Sequence, residues 1–181
     1  MILQKKTNES IKTDINIVIL GDSEVGKSCF AIQYIKNKFE KFHVATIGFE
    51  NFKTSINCND TKYILNFTIT SGLVQYKLDY TSYFEAADFF LIFYDVTNSS
   101  SFTSIPNILS QIENYVFRYK NDSSNVIIVA NKCDLKNREI AGKDAKNIFM
   151  KKCLKHYEIS VKANSNINVL IEDILCTYHN F

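Results

Sequence analysis

The sequence predicts an α/β fold in three layers: a mostly parallel, six-stranded sheet flanked by helices. Three features carry this reading. Short β-rich runs alternate with helical stretches along the whole chain. Two runs, Phe89–Tyr94 and Val126–Ala130, are apolar on both faces, as central parallel strands are. The 181 residues, 46% hydrophobic and 22% charged, have the size and composition of one ordinary globular domain.

The elements follow in order. Ile15–Leu20 alternates isoleucine with other residues and reads as the first strand. A glycine turn and an amphipathic helix over about 27–36 come next. Two strand-like runs, near 49–56 and 63–69, are joined by the hairpin turn Asn57-Cys58-Asn59-Asp60. A helical stretch over about 78–87 precedes the strand Phe89–Tyr94. Ser99-Ser100-Ser101 opens a helix over about 102–119. Val126–Ala130 is the fifth strand, 143–154 a helix, 156–159 a short strand and 167–178 the last helix. The order βαββαβαβαβα implies parallel crossovers, and ligands in such sheets bind where strands end at their C-termini.

Composition excludes several classes. A net charge of +2 is too small for a dedicated nucleic-acid binder. Eight Lys/Arg against three Asp/Glu between Lys132 and Lys155 read as a solvated helix face. The cysteines Cys29, Cys58, Cys133, Cys153 and Cys176 are odd in number, and none forms a C-x-x-C pair. With no signal peptide, they read as reduced thiols of a cytoplasmic protein, expected to be a monomer. His43, His156 and His179 are scattered, without metal-ligand spacing. No apolar run is long enough to span a bilayer. Ile2 excludes N-myristoylation, and the ending Cys176-Thr177-Tyr178-His179-Asn180-Phe181 is no prenylation box. Peripheral attachment to endomembranes would therefore need a lipidated tail beyond this chain.

The loops after the strands hold the chemistry. Gly21-Asp22-Ser23-Glu24-Val25-Gly26-Lys27-Ser28 matches G-x-x-x-x-G-K-[ST] between a strand and a helix. Glycines let backbone N–H groups converge on phosphate oxygens at a helix N-terminus. Lys27 offers a point charge to β/γ-phosphates, and Ser28 a hydroxyl to Mg²⁺. After the fifth strand comes Asn131-Lys132-Cys133-Asp134. A carboxylate accepts two hydrogen bonds, and guanine, unlike adenine, presents two adjacent donors. Asp134 is thus suited to select guanine. Ser160-Val161-Lys162, after the last strand, offers backbone N–H groups to the guanine carbonyl.

These three loops, with Thr46-Ile47-Gly48 and Tyr94-Asp95-Val96-Thr97…Ser101-Phe102, resemble the small GTPases of the Ras superfamily, most of all the Rab branch. The resemblance runs from about Ile15 to Leu175. It implies a P-loop nucleotide-binding (small G protein) fold, with 1–14 an N-terminal extension and 15–181 the G domain. It also implies GTP or GDP with Mg²⁺, and effector and regulator proteins that read two switch regions in vesicle trafficking. It counts Cys29 among the nucleotide-binding residues and places Phe39 on the guanine. It makes Thr46 a second Mg²⁺ hydroxyl that orders switch I. On the residues alone, Phe39 reads equally well as a core residue behind the first helix.

One motif departs from the family. Where it carries D-x-x-G-Q, this chain reads Ile69-Thr70-Ser71-Gly72-Leu73. In the family the aspartate holds a metal-bound water, the glycine N–H contacts the γ-phosphate and the glutamine orients the attacking water. Only Gly72 remains, so no catalytic residue is intact. Mg²⁺ binding is expected to be weakened and hydrolysis very slow or absent. The alternative expectation is a pseudo-GTPase scaffold that binds nucleotide weakly or not at all. An ATPase or P-loop kinase is disfavoured, because Asn131 and Asp134 would then be unexplained. The three aromatics that Rab effectors commonly read fall on Asn51, Thr68 and Tyr83, so one is kept. Phe49 and Phe52, which flank Asn51, read as ordinary strand residues more readily than as partial replacements for its ring.

Overall fold

A computed structural model describes residues 11–39, 46, 48–58, 61–72, 81–120 and 125–179. The described elements are β1 (Ile11–Leu20), α1 (Lys27–Lys36), β2 (Phe49–Cys58), β3 (Thr61–Thr70), α2 (Thr81–Ala86), β4 (Phe89–Asp95), α3 (Ser99–Thr103), α4 (Ile105–Lys120), β5 (Val126–Asn131), α5 (Gly142–Met150), β6 (Lys155–Glu158) and α6 (Ile167–His179). They form a six-stranded sheet in the order β2-β3-β1-β4-β5-β6. Only β2 runs antiparallel to its neighbour; the other pairings are parallel. β1 lies between β3 and β4, so the chain reverses its winding direction there. The loop after β1 opens into that crevice, where such sheets bind ligands.

The period-two alternation of the strands sorts the core into two halves. Ile15, Ile17 and Ile19 of β1 join Leu65, Phe67, Ile69, Phe93 and Val129 on one face, under Phe30 and Ala31 of α1 and Leu170 and Ile174 of α6. Val18 and Leu20 join Phe90, Ile92, Ile128 and Ala130 on the other, under Phe84, Ile105, Ile112 and Phe149. This is the three-layer architecture that the doubly apolar runs predict.

Three boundaries depart from expectation for a local reason. β1 starts at Ile11, four residues before its apolar run, because backbone pairing continues from Ile11↔Thr61 to Ile19↔Ile69 whatever the side chains are. The single helix expected over about 102–119 is two, α3 and α4, broken at Ser104. Pro106 has no N–H to continue α3 and sits instead in the first turn of α4, where no donor is required. α5 ends at Met150, four residues early. Cys153 adopts φ 57°, and the Leu154 N–H closes onto the Phe149 carbonyl at 3.0 Å, a left-handed helix stop. α2 is described from Thr81 only, and the beginning of the helix expected over 78–87 lies outside the described residues. So do Asn59 and Asp60 of the expected hairpin turn.

Phe30 is the knot of the α1 side. It is fully buried and packs edge-on against Phe67 and Phe93, with ring centroids 6.1 and 5.2 Å away. Phe30→Ala is expected to cost about 3–5 kcal/mol in urea unfolding. A loss below about 1 kcal/mol would mean that α1 is not held by this ring.

On the opposite face His156 stacks on Phe149 and its Nε2 lies 3.1 Å from the Tyr94 hydroxyl. Burial holds its imidazole below the ordinary value, with Glu158 pulling the other way. The folded state therefore takes up the proton less readily than the unfolded chain. Stability from this site is full above the unfolded pKa and is lost as pH falls through it. His156→Gln is expected to flatten part of the stability loss between about pH 7 and pH 5. Parallel slopes for variant and wild type would assign the loss elsewhere.

Candidate functional site

The phosphate-loop sequence lies between β1 and α1, as its spacing requires. Gly26 stands at the N-cap of α1 with φ 97°. A Cβ there would lie 2.3 Å from the Asn131 amide nitrogen, so both backbone angle and space demand glycine. Lys27 is 7% exposed, and its ammonium donates to the carbonyls of Gly21 at 2.8 Å and Asp22 at 2.6 Å. Burial pulls its pKa down to about 8, with the Asp22 carboxylate opposing. The side chain is thereby strapped across the loop, its charge held at the mouth of the α1 N-terminus.

The loops after β5 and β6 converge on the phosphate loop through one side chain. Asn131 ends β5 and is 2% exposed. Its amide donates to the Val25 carbonyl at 2.8 Å, and its Oδ1 accepts the Val161 N–H at 3.1 Å. Asp134 is exposed, and its Oδ1 accepts the Ser160 hydroxyl at 2.6 Å. Ser160 Oγ in turn accepts the Ala163 N–H at 3.0 Å, which fixes the hydroxyl rotor toward Asp134. The Asp134 carboxylate makes no other hydrogen bond among the described residues, and its exposed side chain keeps an oxygen able to accept. Val161 is buried and Lys162 exposed.

Lys132 holds φ 65° and pairs with Asp95 at 2.7 Å. Asp95 ends β4 and is 6% exposed. Burial pushes its carboxyl up, but hydrogen bonds from Lys132 and Thr97 outweigh this and leave it below its usual range. The sequence shows Asp95 inside a quoted motif without revealing this pairing.

The two hydroxyls assigned to a metal come together. Ser28 Oγ and Thr46 Oγ1 are 3.0 Å apart. Ligands about 2.0–2.1 Å from an octahedral Mg²⁺, on adjacent vertices, are themselves about 2.8–3.0 Å apart. The pair therefore fits Mg²⁺. Among the described residues no group of three or more His, Cys, Asp or Glu could hold a metal. The remaining positions would fall to phosphate oxygens and water, as is usual for Mg²⁺.

A family model for the Ras family matches residues 16–180. This chain belongs to the Ras family. It is 30% identical to rat GTP-binding protein Rab-3D over 168 residues, covering 91% of this chain and 75% of the relative. It is 28% identical to human Ras-related protein Rab-3A over 177 residues, 96% of this chain and 79% of the relative. Against Caenorhabditis elegans Ras-related protein Rab-3 the figures are 29% over 164 residues, 88% and 73%. The chain is a Rab-like small GTPase, a GTP-binding G domain.

In this small GTPase the third motif departs at the end of β3. Ile69 is fully buried and belongs to the apolar core on the α1 side, with Val25 and Phe30. The side chain that replaces the family's aspartate therefore extends the core beneath the phosphate loop. The Thr70 hydroxyl, buried, lies 3.4 Å from the Ile19 carbonyl as a long bond to β1. The Ser71 N–H donates to the Gly48 carbonyl at 2.7 Å and fastens the end of β3 to the start of β2. Gly72 shows why glycine survives here: a Cβ would lie 2.2 Å from the Ser23 nitrogen and 2.4 Å from the Asp22 carbonyl carbon. Leu73 lies outside the described residues.

Phe39 is 37% exposed and joins neither core cluster, which removes the core reading of it. Cys29 packs against the α1-side core. At the aromatic positions, Thr68 donates to Asn51 Oδ1 at 3.0 Å across the β2–β3 pair. Phe52 packs on the core as an ordinary strand residue does. Phe49 does not: it is 41% exposed, its ring 4.8 Å from that of Tyr83. Of the two readings of Phe49, ordinary strand residue or partial stand-in for Asn51, the ring beside Tyr83 favours the second. Among the described residues, no helix is long and apolar enough to cross a membrane.

Asn131→Ala would orphan the Val25 carbonyl and the Val161 N–H in a buried site. The expected loss is about 2–5 kcal/mol of stability, together with weakened guanine-nucleotide binding. Chemical unfolding and fluorescent-nucleotide titration would check it. An unchanged unfolding midpoint would show that the loops are joined by other means.

Proposed function

We propose that this protein is a guanine-nucleotide switch of vesicle trafficking whose hydrolytic step is very slow or absent. The observation that carries the proposal is the burial of Ile69. An isoleucine with no solvent exposure has neither oxygen nor room to hold a metal-bound water. Leu73, at the water-orienting position, has no donor or acceptor. Mg²⁺ would then rest on Ser28, Thr46, phosphate and water, and bind more weakly than where an acid supports it. Such a metal, when bound, neutralises charge between the β- and γ-phosphates.

The grip on the nucleotide is supported separately. Lys27 is strapped at the α1 N-terminus. Asn131 joins the loops, and Asp134 is steadied by Ser160. Gly21–Ser28 and Gly72 cradle phosphate, Phe39 offers a ring to the base, and Ser160–Lys162 complete the base site. The Asn51–Thr68 pair replaces two rings with polar groups, which argues against partners that read the usual aromatic triad and for ones that read Phe49 with Tyr83.

Two measurements test this. Chromatography of nucleotide released by denaturing the purified protein is expected to yield guanine nucleotide. No nucleotide, even after incubation with excess GTP and Mg²⁺, would favour a scaffold instead. Ile69→Asp with Leu73→Gln is expected to raise single-turnover GTP hydrolysis at least about tenfold. Wild-type turnover comparable to ordinary Rab-like proteins would overturn the proposal.

A further inference from the structure

The phosphate loop carries a charge pattern that phosphate binding alone does not explain. Gly21–Ser28 holds one cation, Lys27, and two carboxylates, Asp22 and Glu24. The loop is therefore net negative where a polyanion must sit. Glu24 adds a second oddity. Its φ is 64°, in the left-handed region that favours glycine. It is exposed and, among the described residues, forms no ion pair or hydrogen bond that would hold it there. Both neighbours of the loop's turn are otherwise well fixed: Val25 is 1% exposed with its carbonyl bonded to Asn131, and Lys27 is strapped to two carbonyls. Glu24 is thus the loop position where strain and charge coincide without a compensating contact.

We propose that Glu24 makes this site release nucleotide quickly without an exchange protein, so that its nucleotide state follows the surrounding GTP and GDP concentrations. This rests on the reading of the site as a guanine-nucleotide switch. The physical argument has two parts. A carboxylate in a loop this short lies within about one Debye length, ~8 Å, of any phosphate the loop wraps, and repels it. The cradle also demands a left-handed backbone that glutamate adopts reluctantly, so the binding-competent loop is less preorganised than with glycine. Both effects weaken the bound state more than the encounter, and so raise the dissociation rate. A switch that hydrolyses slowly has no fast route from GTP to GDP. Rapid release supplies a route that needs no chemistry.

The test is the release rate of a fluorescent GDP analogue, chased with excess GTP in Mg²⁺, for wild type, Glu24→Gln and Glu24→Gly. Glu24→Gln removes the charge and keeps the strained backbone; Glu24→Gly removes both. The proposal expects Glu24→Gly to slow release about tenfold or more, equivalent to 1.4 kcal/mol, with Glu24→Gln between it and wild type. The difference between wild type and Glu24→Gln should shrink as salt rises from about 0.05 to 0.5 M. Melting of the nucleotide-free proteins is the second readout: Glu24→Gly should be at least as stable as wild type, because it relieves a left-handed residue. Nucleotide bound with equal release rates in all three overturns the role of Glu24 and leaves the switch reading standing. Binding seen only in Glu24→Gly supports the role in its strongest form. No binding in any of the three overturns both.

Discussion

The site depends on one buried amide. Asn131 donates to the phosphate loop and accepts from the loop after β6, while its own backbone leads into Lys132 and Asp134. Three segments far apart in sequence are thereby held in register by two hydrogen bonds on one side chain. An amide can do this because it carries a donor and an acceptor on one rigid plane. An aspartate in the same place would lack the donor for the Val25 carbonyl. The tight fit of Gly26 against the same amide shows that the phosphate loop is moulded onto Asn131, with the helix dipole of α1 aimed outward from that contact.

Around this pivot the chain keeps the residues of the phosphate and base loops and departs from the family at the third motif. Lys27, Ser28, Thr46 and Asn131 are held by contacts that would serve a nucleotide. Ile69 is held by contacts that serve the core. The exchange of an acid for isoleucine at this point removes a charge that would need a metal or a partner and adds an apolar side chain beneath the loop. Gly72 belongs to both worlds. It remains because backbone of the phosphate loop lies against it, a steric reason that persists whether or not chemistry occurs there.

Much of this was legible in the sequence, and the limits are physical. The doubly apolar runs of β4 and β5 announce central strands, and the alternation in β1 announces which residues face α1. The loops after β1, β5 and β6 are legible because each follows such a run. Partnerships were less legible. Asn131 reaches Val25 across 106 residues, and Lys132 finds Asp95 on a neighbouring strand, which depends on sheet order rather than on local pattern. The helix break at Ser104 was missed because apolar periodicity continues through it; Pro106 was the available signal. The departure at Ile69 was legible, but that its side chain completes a core layer required the register Ile19↔Ile69. Strand periodicity says which face the Phe49 ring occupies and not what ring lies beside it.

The far end of the sheet holds a contact of another kind. Tyr63, 2% exposed, lies at the entry of β3 and its hydroxyl meets the Nε2 of His179, the last residue of α6. Tyr63 is seven residue steps from Thr70, roughly 23 Å along the strand from the nucleotide-facing edge. The final turn of α6 is thus moored to the interior at the opposite pole, where an unsecured helix end would fray. The other end of α6 begins at Ile167, five residues after Lys162, so one helix runs from the loop beside Asn131 to this mooring. The two poles of the sheet are therefore joined by a single helix.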